Sequence, residues 1–360
     1  MRDTLTLMWL LPSLAFAEDA SSVRWTLHGI IDTYWAFHTN RPAGGAGYFA
    51  GAGSTGGRSN AFAVNLAAID ASATTGPVVT RLALQVGTSA DIVHVAEPGG
   101  VGLGPELWRH LQRASVAYTI PVGRGLTLEA GVMPSHNGYE TYVSKDNWNY
   151  SRSWAADLSP YYECGVSLRY PMTEAWSVQL HVVNGWQTIG DLNEMKSFGL
   201  QVAYGGSLAS AALNLHAGPE LPGDNRHWRF FADVWAQVDP LPWLSLATVV
   251  DAAYEDRPSD PAWWLAGGLF VRFNATAWFK VALRGGIFHD PDGAISGTAQ
   301  TLGEASLTLD FLPIDGLLFR LEGRFDQSTA ALFETAEVDA DGPRRSRRQG
   351  VILLAATGWF

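Results

Sequence analysis

The amino-acid sequence predicts an all-β protein, a transmembrane antiparallel up-and-down barrel of about sixteen strands with short turns at one rim and long loops at the other. Three observations carry this expectation. Apolar residues alternate with polar ones at a period of 2 through most of the chain, as in strands with two chemically different faces. The polar face is too charged to enter a dry protein core. Beyond the first twenty residues no run of about 18 apolar residues occurs, so a bilayer could be crossed only by strands.

Composition agrees. Of the 360 residues 47% are apolar and only 16% charged, with 38 glycines and 15 tryptophans, where soluble domains carry about 25% charge. The net charge of -11 argues against a nucleic-acid partner, because phosphate binding needs a basic surface. Cys164 is the single cysteine, which excludes an intramolecular disulfide and a cysteine-rich metal site.

Residues 1–17 read as an export signal: Arg2 precedes the apolar run from Leu5 to Leu11, and Ala15-Phe16-Ala17 supplies the small-residue cleavage site. The expected mature chain, 18–360, then forms one barrel domain in the outer membrane of a bacterium.

Alternation is cleanest late in the chain. Phe279, Val281, Leu283 and Ile287 share one face, and Lys280, Ala282, Arg284 and Gly286 the other. Across 301–311, Leu307, Leu309 and Phe311 oppose Glu304, Ser306, Thr308 and Asp310. Across 317–326, Leu317, Phe319, Leu321 and Phe325 oppose Arg320, Glu322, Arg324 and Asp326. Weaker versions run over 24–38, 62–72, 81–88, 113–120, 126–133, 162–170, 176–183, 196–204, 208–216, 228–238, 244–254 and 263–273, and 349–360 closes the series. Most have the length that a tilted strand needs to cross hydrocarbon.

Connections alternate as well. "TTGPVV", "VGRG", "PMTEA", "GGS", "DPLPW", "NATA" and "LPIDG" have tight-turn chemistry. Between them lie 39–60, 90–108, 134–160, 185–195, 218–227, 255–262, 289–299 and 327–348, as expected of periplasmic turns and extracellular loops. Trp25, Trp35, Trp176, Trp228, Trp243, Trp263, Trp278 and Trp359 fall near strand ends, where the headgroup region accepts an apolar ring with a polar N–H. The final "VILLAATGWF" is expected to pair with the first strand and to place Phe360, Ile352 and Leu354 toward lipid, although Val351, Leu353 and Ala355 make its other face apolar too.

A terminal Phe360 on such a strand resembles the signal read by the machinery that inserts bacterial outer-membrane barrels. "HGIIDTYWAFHTNRP" (28–42), "GYETYVSKDNWNYSRSW" (138–154), "VVNGWQTIGDLNEMKS" (182–197), "LRGGIFHDPDG" (283–293) and "RLEGRFDQS" (320–328) together resemble the OmpL-like β-barrel porin family over essentially the whole mature chain. The match includes a Gly-x-Glu element at Gly138 and Glu140 and an Asn-x-Ser-Arg-Ser element at Asn149, Ser151, Arg152 and Ser153. Gly286 stands where an acidic residue is expected, and Gly323 where an aromatic is expected. The resemblance implies passive transport without naming a solute.

A barrel of roughly this strand number leaves an aqueous channel unless something fills it. By alternation the lumen carries Arg24, Arg81, Arg113, Arg169, Arg229, Arg272, Lys280, Arg284, Arg320 and Arg324. Against them stand Asp32, Glu129, Glu163, Asp233, Asp251, Glu304, Asp310, Glu322 and Asp326, so that no ion preference follows from the wall. Either these charges pair across strands or they tune a permeation path. Segment 134–160 is the candidate inward-folded constriction. It combines Glu140, Lys145, Asp146, Arg152 and Asp157 with Tyr139, Tyr142, Trp148, Tyr150 and Trp154, aromatics to pack it against the wall and charges to set a transverse field.

Other motifs carry less. "GAGSTGGRS" (51–59) lacks phosphate-loop spacing and reads as a flexible external loop. "HDPDG" (289–293) reads as a turn rather than a cation site. The histidines are scattered without a metal motif, Ser135 and His136 lack a hydrolase signature, and neither a cofactor nor a metal is read from the sequence. The expected partners are outer-membrane lipid and lipopolysaccharide, the barrel-assembly machinery and small hydrophilic solutes, with "RRSRR" (344–348) as a lipopolysaccharide contact or a hydrated loop. Homo-oligomerisation is left open. The rival readings are a non-conducting scaffold or adhesin and an outer-membrane hydrolase.

Overall fold

A computed structural model describes residues 22–49, 52–99 and 104–360 of the chain. The expected signal 1–17 lies outside these residues. In chain order the strands are β1 (Arg24–His38), β2 (Ala61–Thr75), β3 (Val78–Val86), β4 (Leu111–Ile120), β5 (Leu126–Pro134), β6 (Tyr162–Pro171), β7 (Trp176–Val183), β8 (Ser197–Gly205) and β9 (Ala209–Pro219). They continue with β10 (Trp228–Leu241), β11 (Leu244–Glu255), β12 (Ala262–Asn274), β13 (Phe279–Asp290), β14 (Gln300–Ile314), β15 (Leu317–Ser328), β16 (Phe333–Asp339), β17 (Gly342–Ser346) and β18 (Arg348–Trp359). Every strand except β16 and β17 joins one closed antiparallel barrel of 16 strands. Consecutive strands are neighbours, and β18 closes the ring between β15 and β1.

Closure has a physical cause. In hydrocarbon each unpaired backbone N–H or C=O costs several kcal/mol, and a ring has no edge. At the seam, Ile30 stands opposite Trp359 and His38 opposite Val351. The Gly29 N–H donates to the Phe360 carbonyl and the Phe360 N–H to the Gly29 carbonyl, both at 3.1 Å, so pairing continues through Phe360.

Side chains divide as the alternation requires. Phe319, Leu321, Phe325, Ile352, Leu354 and Phe360 are exposed on the outer face, whereas Arg320, Glu322, Arg324, Asp326, Val351 and Leu353 are buried on the inner one. Val351 and Leu353 resolve the poor polarity of the last strand: they face inward but meet packed protein, not water, and Leu353 belongs to the same buried cluster as Tyr150 and Trp154. Trp25, Trp176, Trp243, Trp263 and Trp278 are exposed near strand ends.

The short turns carry backbone demands of their own. Gly316, between β14 and β15, has φ +82°, and a Cβ there would sit 2.7 Å from the Trp359 carbonyl oxygen. Only glycine fits both constraints.

The long connections contain structure that period-2 reading does not register: α1 (Thr88–Val93), α2 (Pro105–Trp108), a 3-10 turn at Ser144–Asp146, α3 (Trp154–Asp157) and the β16–β17 hairpin. Segment 51–59 departs from expectation. Residue 51 lies outside the described residues, but Ala52 to Gly57 are buried rather than spread over the outside. Their anchor is Asp157, which accepts a hydrogen bond from the Gly53 N–H at 2.9 Å and one from Ser54 Oγ. "HDPDG" does form a turn, in which buried Asp290 accepts from the N–H groups of Ala294 and Ser296 at 2.6 and 2.9 Å.

Candidate functional site

Around the ring β5 and β13 stand at opposite points. The segment that follows β5 nevertheless touches β13, and it does so through its own backbone. Arg284 of β13 donates through Nη1 to the Ser151 carbonyl and to Glu140 Oε1 (3.2 Å), and through Nη2 to Ser151 Oγ (3.1 Å) and the Arg152 carbonyl (3.3 Å). Residues 135–161 therefore cross the interior from one wall to the other.

Two more arginines hold the crossing. Arg320 donates to the carbonyls of Ser144 (2.5 Å) and Asn147 (2.6 Å) while Asp310 fixes its other edge at 2.8 Å. Arg324 donates to the Arg152 carbonyl (2.5 Å), pairs with Asp326 (2.8 Å), and lies over the rings of Trp154 (4.8 Å) and Tyr48 (5.4 Å). A planar guanidinium with five donors can bridge wall carboxylates and loop carbonyls at once, which a lysine ammonium cannot.

Carboxylates of the wall take the loop's N–H groups. Glu322 accepts from the N–H of Tyr150 (2.6 Å) and Ser151 (3.1 Å), from Ser151 Oγ, and from Thr308 Oγ1 (2.7 Å). Glu304 accepts from the Trp154 N–H (3.3 Å) and Asp326 from its indole Nε1 (3.1 Å). On β1, Asp32 accepts from Ser144 Oγ (2.6 Å), Tyr150 OH (3.2 Å), Asn65 (2.8 Å) and Thr357 (2.8 Å). A buried charge without such partners would cost several kcal/mol.

The loop's local sequence fits this docking. Ser153 caps α3 by accepting from the Ala156 N–H at 3.2 Å, and Glu140 Oε2 accepts from the Ser153 N–H at 2.8 Å. Asn149 donates to Thr308 Oγ1 at 2.7 Å. The Asn-x-Ser-Arg-Ser element is thus a docking sequence, each of its named residues bonded to the wall or to the loop itself. Burial raises the phenol pKa values of Tyr142, Tyr150 and Tyr161, so these rings stay neutral.

The five charged residues of the segment divide. Glu140, Arg152 and Asp157 are buried. Arg152 donates to the Thr141 carbonyl and to Thr55 Oγ1, both at 3.1 Å, and lies over the rings of Tyr142 and Tyr161. Lys145 and Asp146 pair at 2.6 Å with side chains partly in water, and Lys145 lies 5.5 Å above the Trp359 ring. Elsewhere on the inner wall, Arg229 pairs with Glu255 (2.6 Å), Asp233 accepts from the Gly138 N–H (3.2 Å), and Lys280 is half-buried. Gly286 has a local reason: a Cβ there would approach Glu304 Oε1 to 2.8 Å, crowding the carboxylate that Arg284 and Arg324 share.

The crossing does not fill the interior. Against β2 to β4 it leaves a cavity of about 390 Å³, lined on the wall by Asp70, Gln85 and Arg113 and on the loop by Glu140, Tyr142 and Asp146. That is room for roughly ten waters. Asp32 is legible from alternation as an inner-wall charge, but Ser144 and Asn147 are not singled out, because loop carbonyl and hydroxyl contacts leave no periodic signal.

Residues 24–358 match the family described as "Putative beta-barrel porin-2, OmpL-like". The chain belongs to this family. No curated protein matches the sequence of this porin. Its fold is similar to that of an anion-selective porin from Comamonas acidovorans, with a TM-score of 0.61, 12% identity, and coverage of 94% of this chain and 100% of that one. The outer-membrane channel DcaP of Acinetobacter baumannii gives a TM-score of 0.61 at 10% identity, covering 96% and 99%. OmpT, an outer-membrane protein of Vibrio cholerae in its trimer form, gives 0.60 at 7% identity, covering 94% and 100%. At such identities the likeness is one of fold, and it places this porin's architecture among outer-membrane barrels.

Proposed function

We propose that this porin forms a water-filled channel for passive diffusion of small hydrophilic solutes or ions across the bacterial outer membrane, narrowed by the segment 134–160. The observation that carries the reading is the cavity left between the crossing segment and β2 to β4, with Asp70, Arg113, Glu140 and Asp146 in its lining. Lys145 and Asp146 are the segment's charges that meet water, and they set the local field in the narrow zone. Arg152 and Asp157 act from behind it, by fixing its shape, and Glu140 does so while also lining the cavity. Residues 1–17 serve export, Phe360 serves recognition by the assembly machinery, and a homo-oligomer agrees with the trimer form of the V. cholerae relative.

A hydrolytic role finds no support at Ser135. Its Oγ donates to Glu163 Oε1 at 2.9 Å, and His136 is bonded to the same carboxylate, so the pair does not form a nucleophile–base relay. Liposome swelling with neutral sugars of increasing size tests the channel reading. Entry of monosaccharides with a steep fall for larger sugars is expected, and liposomes indifferent to every sugar would support a non-conducting scaffold instead.

A further inference from the structure

At the root of the crossing segment, three side chains from separate elements converge: His136 just after β5, Glu163 on β6 and His181 on β7. All three are buried, and one ligand atom from each lies within 4.8 Å of the others. We propose that this cluster is a binding site for a divalent transition-metal ion of the zinc type.

Unsatisfied valence is the first argument. Neither ring nitrogen of His181 has a hydrogen-bond partner among the described residues, nor does Glu163 Oε2, and His181 Nδ1 lies 3.3 Å from that oxygen. A buried carboxylate oxygen and a buried imidazole left this way cost stability, and one cation between them satisfies both.

The state of His136 is the second. Its Nε2 lies 2.9 Å from the Leu215 carbonyl, a contact that needs the proton on Nε2. With Nε2 donating there, the 2.8 Å contact between Nδ1 and Glu163 Oε1 is held by a second proton shared between the two atoms, and loss of that proton frees the Nδ1 lone pair for a metal. Metal-bound histidines use this arrangement, with the far N–H held by a carbonyl to orient the ring. The proton now shared between Nδ1 and the carboxylate would leave as the metal enters. Gly199 makes the ring's position possible, since a Cβ there would fall on it.

Donor chemistry selects the ion. Two imidazoles and one carboxylate suit zinc and its neighbours, whereas magnesium and calcium prefer oxygen alone. Ser135 and Asn137, which flank His136 in the chain, and Tyr162, which precedes Glu163, line the cavity beside the crossing segment, and a water would complete four-coordination. Bound metal would staple the root of the crossing segment to β6 and β7. The site stands independently of whether the barrel conducts.

The test uses the untagged mature chain, refolded in detergent and stripped with chelator. Titration with Zn²⁺ followed by dialysis and metal analysis should leave one zinc per chain, and Co²⁺ should give the intense visible absorption of a four-coordinate site. His181→Phe keeps a stacked ring and should bind Zn²⁺ at least about tenfold more weakly, while His227→Asn, at a rim histidine paired with Asp224, should bind as wild type. Wild-type protein that retains no zinc, or equal binding by a His181→Phe variant that migrates as a folded barrel, would overturn the proposal. So would a cobalt complex with only the weak absorption of an octahedral ion.

Discussion

Arg284 Nη1 lies 3.2 Å from Glu140 Oε1, although Arg284 sits on β13 and Glu140 follows β5 from the opposite side of the barrel. Both side chains are buried, and the same guanidinium reaches Glu304 at 3.1 Å. The pair is the shortest statement of how this part of the interior is organised: the wall charges of β13 to β15 hold the crossing segment.

Replacing Arg284 with Met keeps much of the volume but leaves buried Glu140 without its cationic partner, while Glu304 keeps Arg324. A loss of about 3 to 5 kcal/mol is expected for a broken buried pair, most of it in the docking of the crossing segment rather than in the barrel. Heat-modifiable migration should survive, while proteolysis within 135–161 should accelerate and channel conductance should rise.

Glu322→Gln tests the other polarity. Gln offers one acceptor oxygen where Glu322 serves two backbone N–H groups and two hydroxyls. The expected cost is about 1 to 3 kcal/mol, and amide exchange at Tyr150 and Ser151 should quicken more than anywhere else in the segment.

Lys145 and Arg152 should separate cleanly. Lys145→Ala is expected to shift ion selectivity toward cations with little effect on stability, because the side chain is partly in water beside Asp146. Arg152→Ala removes a buried guanidinium stacked on Tyr142 and Tyr161 and should lower the thermal midpoint instead. Reversal potentials and melting curves of the two variants decide the division.

The packing of the connection between β3 and β4 should depend on pH. Burial, helped by the nearby Arg109 charge, lowers His94 to about 4, against about 6.5 for a free imidazole. The packed form therefore keeps His94 neutral, and the opened form takes up a proton below about 6.5. Stability of this connection is full above that pH and falls as pH drops toward 4, by up to about tenfold in opening equilibrium per pH unit. Hydrogen exchange across 88–97 at pH 7 and pH 5 measures it, and His94→Gln should flatten the dependence.

The ring itself was legible in the sequence because a period of 2 survives even where the pattern is weak, as at 81–88, which the structure realises as β3 (Val78–Val86) running on into α1. Which face meets lipid was legible for the same reason. What the charges of the inner face do was not. Arg320 and Asp310 read as lumen residues, and they are on the inner wall, yet Arg320, held by Asp310, donates to the carbonyls of Ser144 and Asn147, which no side-chain pattern records. The burial of 52–57 was hidden likewise, since glycine-rich composition looks the same in water and under a packed lid. The His136, Glu163 and His181 cluster joins three positions 18 or more residues apart, beyond any linear motif.

Stepwise single-channel conductance in planar bilayers tests the central claim most directly, with wild type and Arg284→Met measured side by side. Discrete steps from the wild type and larger ones from the variant are expected, because loosening the crossing segment widens the path beside it. Silent bilayers with both proteins, each verified as a folded barrel, would contradict the account.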